Sequence, residues 1–113
     1  MADDCLFCRI VRGEVPAKLV FEDEHCIAFR DINPQAPTHV LVVPREHVES
    51  LDRTTDSVLI GRLLVAAAAI ARQENVAEAG YRTVINTNRA AGQTVFHVHV
   101  HLLGGRPLEW PPG

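Results

Sequence analysis

The segment His97-Val98-His99-Val100-His101-Leu102-Leu103 sets three imidazoles at alternate positions of an otherwise apolar run. In an extended strand, residues two apart share a face. His97, His99 and His101 are therefore expected side by side, with Val98, Val100 and Leu102 forming the apolar reverse that anchors them. A neutral imidazole can serve as nucleophile, general acid or base, or metal ligand near neutral pH. Three readings follow: a polar surface strand, a three-histidine catalytic metal site, or covalent catalysis in which one ring attacks phosphorus while its neighbours orient it. Directly upstream, Gly92-Gln93-Thr94 offers backbone N–H groups, an amide and a hydroxyl. Clustered donors of this kind hold an anion such as phosphate. No acidic ligand or fourth histidine stands close by in sequence, which favours phosphate chemistry over a catalytic metal.

Cys5 and Cys8 form a second constellation, at the Cys-x2-Cys spacing of a metal half-site. Two free thiols or a redox pair are the alternatives, and spacing alone ties no histidine to them.

These groups need a scaffold. Residues 5–12 read as a short helix, with Asp3 or Asp4 as its cap, Leu6, Phe7 and Ile10 along one side, and Gly13 as its stop. Leu19 to Phe21 and Cys26 to Arg30 read as a hairpin, and His39 to Val43 as a β-branched strand ended by Pro44. Thr54, Thr55 or Asp56 can cap a helix over about 57–75, whose Leu59, Leu63, Ala67 and Ile70 recur at helical spacing. Tyr81 to Thr87 and Val95 to Leu103 are expected as the last strands. Strands, one long helix, then strands again fit an α+β domain on an antiparallel sheet better than repeated βαβ units.

The chain has 113 residues, of which 47% are hydrophobic and 22% charged, suiting one globular domain over residues 1–113. A formal net charge of -3 gives no electrostatic footprint for bulk nucleic acid. The amino terminus is acidic where a secretory signal is basic, and the longest apolar run is too short and interrupted for a membrane span. Three cysteines make an odd set that argues against a disulfide framework, so a cytoplasmic protein with no membrane partner is expected.

The run from 97 to 103 meets the whole signature His-φ-His-φ-His-φ-φ, and here the chain resembles the histidine triad (HIT) proteins. The resemblance extends over FRDINPQAPTH at 29–39, GQTVFHVHVHLLGG at 92–105 and the ending Trp110-Pro111-Pro112-Gly113, and is nearest to the Hint branch of purine nucleoside phosphoramidases. It implies a HIT-like fold: a five-stranded antiparallel sheet with a short N-terminal and a long central helix, in a homodimer. By position, His99 matches the nucleophile that carries a nucleotidyl-imidazole, with His97 and His101 completing the catalytic triad. His39, Asn86, Gly92, Gln93 and Thr94 match phosphate or leaving-group contacts, and Asp31 matches the carboxylate that accepts from ribose hydroxyls. Leu6, Phe7, Ile10, Phe29, Ile32 and Leu41 match the walls of the base pocket. Some family members are similar in holding a structural zinc, here through Cys5, Cys8, His47 and His97.

The activity so implied is hydrolysis of purine nucleoside 5′-phosphoramidates at the P–N bond, with no cofactor for catalysis. The nucleophile need only be neutral and in the right tautomer, which a backbone carbonyl could fix. A dinucleoside polyphosphate hydrolase and a non-catalytic nucleotide-binding scaffold are the competing functions.

Overall fold

In the computed structural model, which describes residues 4–113, α1 spans Leu6–Val11 and precedes a hairpin of β1 (Leu19–Glu22) and β2 (Cys26–Arg30). β3 (Thr38–Pro44), α2 (Ser57–Gln73), β4 (Tyr81–Val84) and β5 (Val100–Gly104) follow, with 3-10 turns at Leu51–Arg53 and Arg89–Ala91. The strands form one antiparallel sheet in the order β1-β2-β3-β5-β4.

Local chemistry explains most of these boundaries. The β1–β2 turn closes on Asp23, whose Oδ1 accepts from the backbone N–H groups of His25 and Cys26 at 2.8 Å each. Asp56 caps α2 by accepting from Leu59 N at 3.0 Å. The cap of α1 differs from expectation: Cys5 fills it, its Sγ facing Cys8 N at 3.4 Å, while Asp3 lies outside the described residues.

The sheet has two dissimilar faces. Ala28, Val40, Val42, Val100 and Leu102 point toward α2 and pack with its Leu63, Ala67 and Ile70 in the main core. The small side chains at Ala66, Ala67 and Ala71 allow the helix close approach. On the opposite face, Ile27, Phe29, Leu41 and Val43 pack with Phe7 of α1 in a second, smaller cluster. Strand alternation carries His39 and His101 onto this second face, since His101 pairs with Leu41 and His39 with Leu103.

The last two strands are shorter than their residue types suggest. β4 stops at Val84 rather than Thr87, and β5 starts at Val100 rather than Val95, so His97 and His99 precede the ladder. Pro44 explains the late start. It ends β3 without an N–H to donate, its carbonyl accepts from the His97 ring at 2.8 Å, and Val98 N donates instead to Val48 O at 2.7 Å. Val98 nevertheless stays buried on the α2 side while His99 sits beside His101, ring centroids 5.0 Å apart, so the alternation of sides survives outside the strand.

Candidate active site

His99 is buried, and its Nδ1–H donates to the carbonyl oxygen of His97 at 2.7 Å. That bond places the ring proton on Nδ1 and leaves the Nε2 lone pair unprotonated. No described residue bonds Nε2, and His99 lines a cavity of about 1020 Å³ on the second face of the sheet. Burial lowers the His99 pKa, partly opposed by the His97 carbonyl and by the charge of Asp31, so the ring is neutral at pH 7.

A relay of hydrogen bonds fixes the neighbouring rings. Gln35 N–H donates to His39 Nδ1 at 3.0 Å, so the His39 proton sits on Nε2. From there it donates to His101 Nδ1 at 2.9 Å, which leaves His101 with its own proton on Nε2. Asp31 Oδ2 lies 3.4 Å from His39 Nε2, and its charge partly opposes the lowering of the His39 and His101 pKa values. Burial pushes His101 down to about 4 and lowers His39 as well. His101 Nε2–H is thus a neutral donor beside the unprotonated Nε2 of a neutral His99. Asp31, His39 and His101 also lie close enough together to suggest a metal site, but an ion on His39 Nε2 would have to displace the proton that Gln35 places there.

Around these rings the structure gathers most of the predicted contacts. Asn86, Gly92 and Thr94 line the cavity near His99, and the side chains of Asn86 and Thr94 bond to no described residue. Asp31 also lines it, at the end of β2, with Oδ1 accepting from Asn33 N at 2.8 Å. Leu6, Phe7, Ile10, Phe29, Ile32 and Leu41 form apolar wall. Phe7 meets Phe29 edge-on at 5.3 Å, while Ile32 stands out from the rim, fully exposed.

Two expected contacts do not reach the cavity. Gln93 is buried, with Nε2 donating to Glu49 O at 2.8 Å and Val95 O at 3.1 Å, and Oε1 accepting from Asn88 N at 2.8 Å. An amide so engaged fastens the turn and has no donor left for phosphate. His97 is likewise directed elsewhere. Its Nε2–H donates to Pro44 O, and its Nδ1 faces Cys5 Sγ at 3.4 Å, Cys8 Sγ at 3.5 Å and His47 Nδ1 at 3.3 Å.

Those last four residues form the second constellation, with Cys8 Sγ also 3.2 Å from His47 Nδ1. A tetrahedral zinc with ordinary Zn–S and Zn–N lengths has N···N edges of about 3.3 Å and S···N edges of about 3.5 Å. The donor set and its spacing fit such an ion. The Pro44 carbonyl fixes the His97 tautomer so that Nδ1 is free to ligate, as outer partners of metal-bound histidines commonly do. Burial and the bond to Cys5 raise the Cys8 thiol above its usual range, a shift that a bound cation would reverse. Cys26 takes no part: it lies among the core residues facing α2, pushed up to about 11 by burial.

Sequence reasoning missed Gln35, Pro44 and Val48, which act through backbone atoms. Side-chain type carries no signal for such roles, although the Pro-punctuated loop around Gln35 marks an ordered turn.

Known proteins share this fold. Residues 12–108 match the HIT domain. The chain is 54% identical to an uncharacterised HIT-like protein of Synechococcus elongatus, with both chains covered in full. It is 47% identical to a purine nucleoside phosphoramidase of Escherichia coli, over 96% of this chain and 92% of that one. A HIT family hydrolase of Legionella pneumophila superposes with a TM-score of 0.95 at 50% identity, covering 97% of this chain and all of that one. A histidine triad nucleotide-binding protein of Candida albicans gives 0.83 at 31% identity, over 96% and 83%. With its five-stranded antiparallel sheet and its row of histidines, the chain belongs to the HIT domain family.

Proposed function

We propose that this protein hydrolyses purine nucleoside 5′-phosphoramidates through a covalent nucleotidyl-histidine. The observation that carries the reading is the His99 ring: neutral, protonated on Nδ1 by its bond to the His97 carbonyl, and open at Nε2 to the cavity. The phosphoramidase name of the E. coli relative supports the substrate class.

The steps follow from the side chains. His99 Nε2 attacks the α-phosphorus, a P–Nε2 bond forms, and the P–N bond to the substrate amine breaks, the departing nitrogen taking one proton from solvent water. Positive charge then develops on the His99 ring, and the His97 carbonyl already positioned at Nδ1–H stabilises it. His101 Nε2–H donates to a phosphoryl oxygen, with Thr94 and Asn86 as further polar contacts, while the Gly92 N–H is committed to Arg89 O and Gly92 only lines the cavity. Water attacks phosphorus in the second step, the P–Nε2 bond breaks to restore neutral His99, one water proton returns to solvent in place of the one taken by the amine, and the nucleoside monophosphate is released. Asp31 accepts from the ribose hydroxyls, and the apolar walls cover the base.

Cys5, Cys8, His47 and His97 are assigned to a structural zinc, supported by the tetrahedral spacing of their donor atoms. An ion there would fasten α1 to the segment before β5. A cytoplasmic setting is the one in which these thiols stay reduced. No helix among the described residues is long and apolar enough to cross a membrane. A homodimer is supported by β4, whose outer edge pairs with no described strand, and by Leu64 and Val65 left exposed on α2.

Intact mass measured after brief exposure to adenosine 5′-phosphoramidate and rapid quench tests the reading. A gain of one nucleotidyl group is expected. Turnover without any adduct would point to direct attack by water, and binding without turnover to a scaffold.

A further inference from the structure

His97 is shared between the two sites. Its Nδ1 faces the two cysteines and His47, its Nε2–H donates to Pro44 O at 2.8 Å, and its peptide carbonyl accepts the Nδ1–H of His99 at 2.7 Å. A ring held at both nitrogens places its own peptide, and that peptide places the His99 ring. α1 supplies a second link. Cys8 lies on it and Cys5 caps it, while Leu6, Phe7 and Ile10 of the same helix line the cavity. Phe7 lies edge-on to both His97 and His99, at 5.9 and 5.1 Å between ring centroids. A helix of six residues is far too short to hold its shape or position alone. Whatever anchors the cysteines therefore anchors the cavity wall.

Resting on the reading of the cavity as a nucleotide site, we propose that metal binding at Cys5, Cys8, His47 and His97 and nucleotide binding beside His99 are cooperative. The His97 peptide and α1 transmit the effect. A bound metal holds the nucleophile and the wall where the nucleotide needs them. A bound nucleotide, pressing on Phe7 and His99, in turn holds the ligands in the geometry the metal needs. Linkage makes the two effects equal in size.

The test is the zinc dissociation constant of the full chain, measured by competition with a chromophoric chelator, with and without saturating adenosine monophosphate. The monophosphate, as the expected product, occupies the cavity without turnover. Zinc is expected to bind about tenfold more tightly in its presence, within the usual range of coupling between sites. The zinc-loaded chain should then bind the monophosphate more tightly than the stripped chain by the same factor. Should the stripped chain unfold, cobalt(II) loading gives a second measurement: its visible absorption bands report ligand geometry and should shift when the monophosphate binds. Equal zinc affinity in both conditions, with the monophosphate shown to be bound, overturns the coupling and leaves the nucleotide site standing. Failure of the zinc-loaded chain to bind the monophosphate at all overturns the nucleotide reading, and the coupling with it.

Discussion

His39 donates from Nε2 to Nδ1 of His101 at 2.9 Å, and the direction of that bond is set by the Gln35 amide on the far side of the His39 ring. One backbone N–H thus determines where the proton sits on two successive imidazoles. It leaves His101 a donor toward the cavity while His99 next to it is an acceptor.

The division between donor and acceptor predicts the effect of removing the acceptor. His99→Ala should reduce turnover of adenosine 5′-phosphoramidate by several orders of magnitude, as deleting a covalent nucleophile does. Nucleotide binding should persist, because the apolar walls and Asp31 stay in place. Calorimetric titration with adenosine monophosphate beside a steady-state assay checks both parts, and near-normal turnover would sink the covalent scheme.

Asp31→Asn should weaken binding of a ribonucleotide more than that of its 2′,3′-dideoxy analogue, since only the former offers hydroxyl donors to the carboxylate. Hydrogen bonds to a charged group contribute roughly 1.5–3 kcal/mol. Equal losses for the two ligands would remove Asp31 from the ribose contact.

The buried amide of Gln93 gives a stability prediction. Gln93→Glu keeps the shape but turns oxygen toward Glu49 O and Val95 O, which now accept from Nε2. Leaving buried carbonyls unpaired costs roughly 1–3 kcal/mol, and a buried carboxylate more. Urea denaturation should show a loss of at least that size, and an unchanged midpoint would mean the turn is held by other contacts.

Acid should destabilise the fold through His101. Its pKa is lowered from 6.5 to about 4 on folding, chiefly by burial, so the unfolded chain takes up the proton first as pH drops. Stability is full above pH 6.5 and falls as pH descends toward 4, by up to about 1.4 kcal/mol per pH unit for one such group. His101→Gln does not titrate and should lose stability less steeply over the same window. Identical slopes for the two proteins would contradict the burial account.

Cys8→Ser should lower zinc content and melting temperature together, since one of four ligands is exchanged for a weaker one. Metal analysis and thermal denaturation of protein purified with zinc present provide the check. Unchanged values for both would reduce the cysteine pair to free thiols.

Much of this arrangement was legible in the residues themselves. Alternation between histidine and aliphatic residues gave the sidedness of 97–103, because one side had to meet a core. It overstates the extent of the strand, because the ladder with β3 stops at the Val42–Val100 pair, just short of Pro44 in a different strand, a long-range fact that no property of Val95 or Phe96 records. Gln93 misled for a related reason: an amide beside a glycine turn has the composition of an anion site, yet its partners are three backbone atoms, one of them at Glu49. His47 and the cysteines are far apart in the chain, and the resemblance to other proteins linked them where spacing could not. The resemblance places Ile32 in the pocket wall, whereas an isoleucine judged by its residue type alone would be expected in a core, and the structure leaves it fully exposed at the rim.

The contrast between the two faces of the sheet bears on how such a protein can change over generations. The large apolar core lies under α2, whereas the cavity walls sit on the reverse with the smaller cluster. Exchanges at Leu6, Ile10 or Ile32 leave that core untouched, so the shape of the cavity can vary there with little penalty to folding. The cavity wall is in this sense a panel fixed to a separate plate, free to vary while the histidine rings stay where the backbone bonds put them.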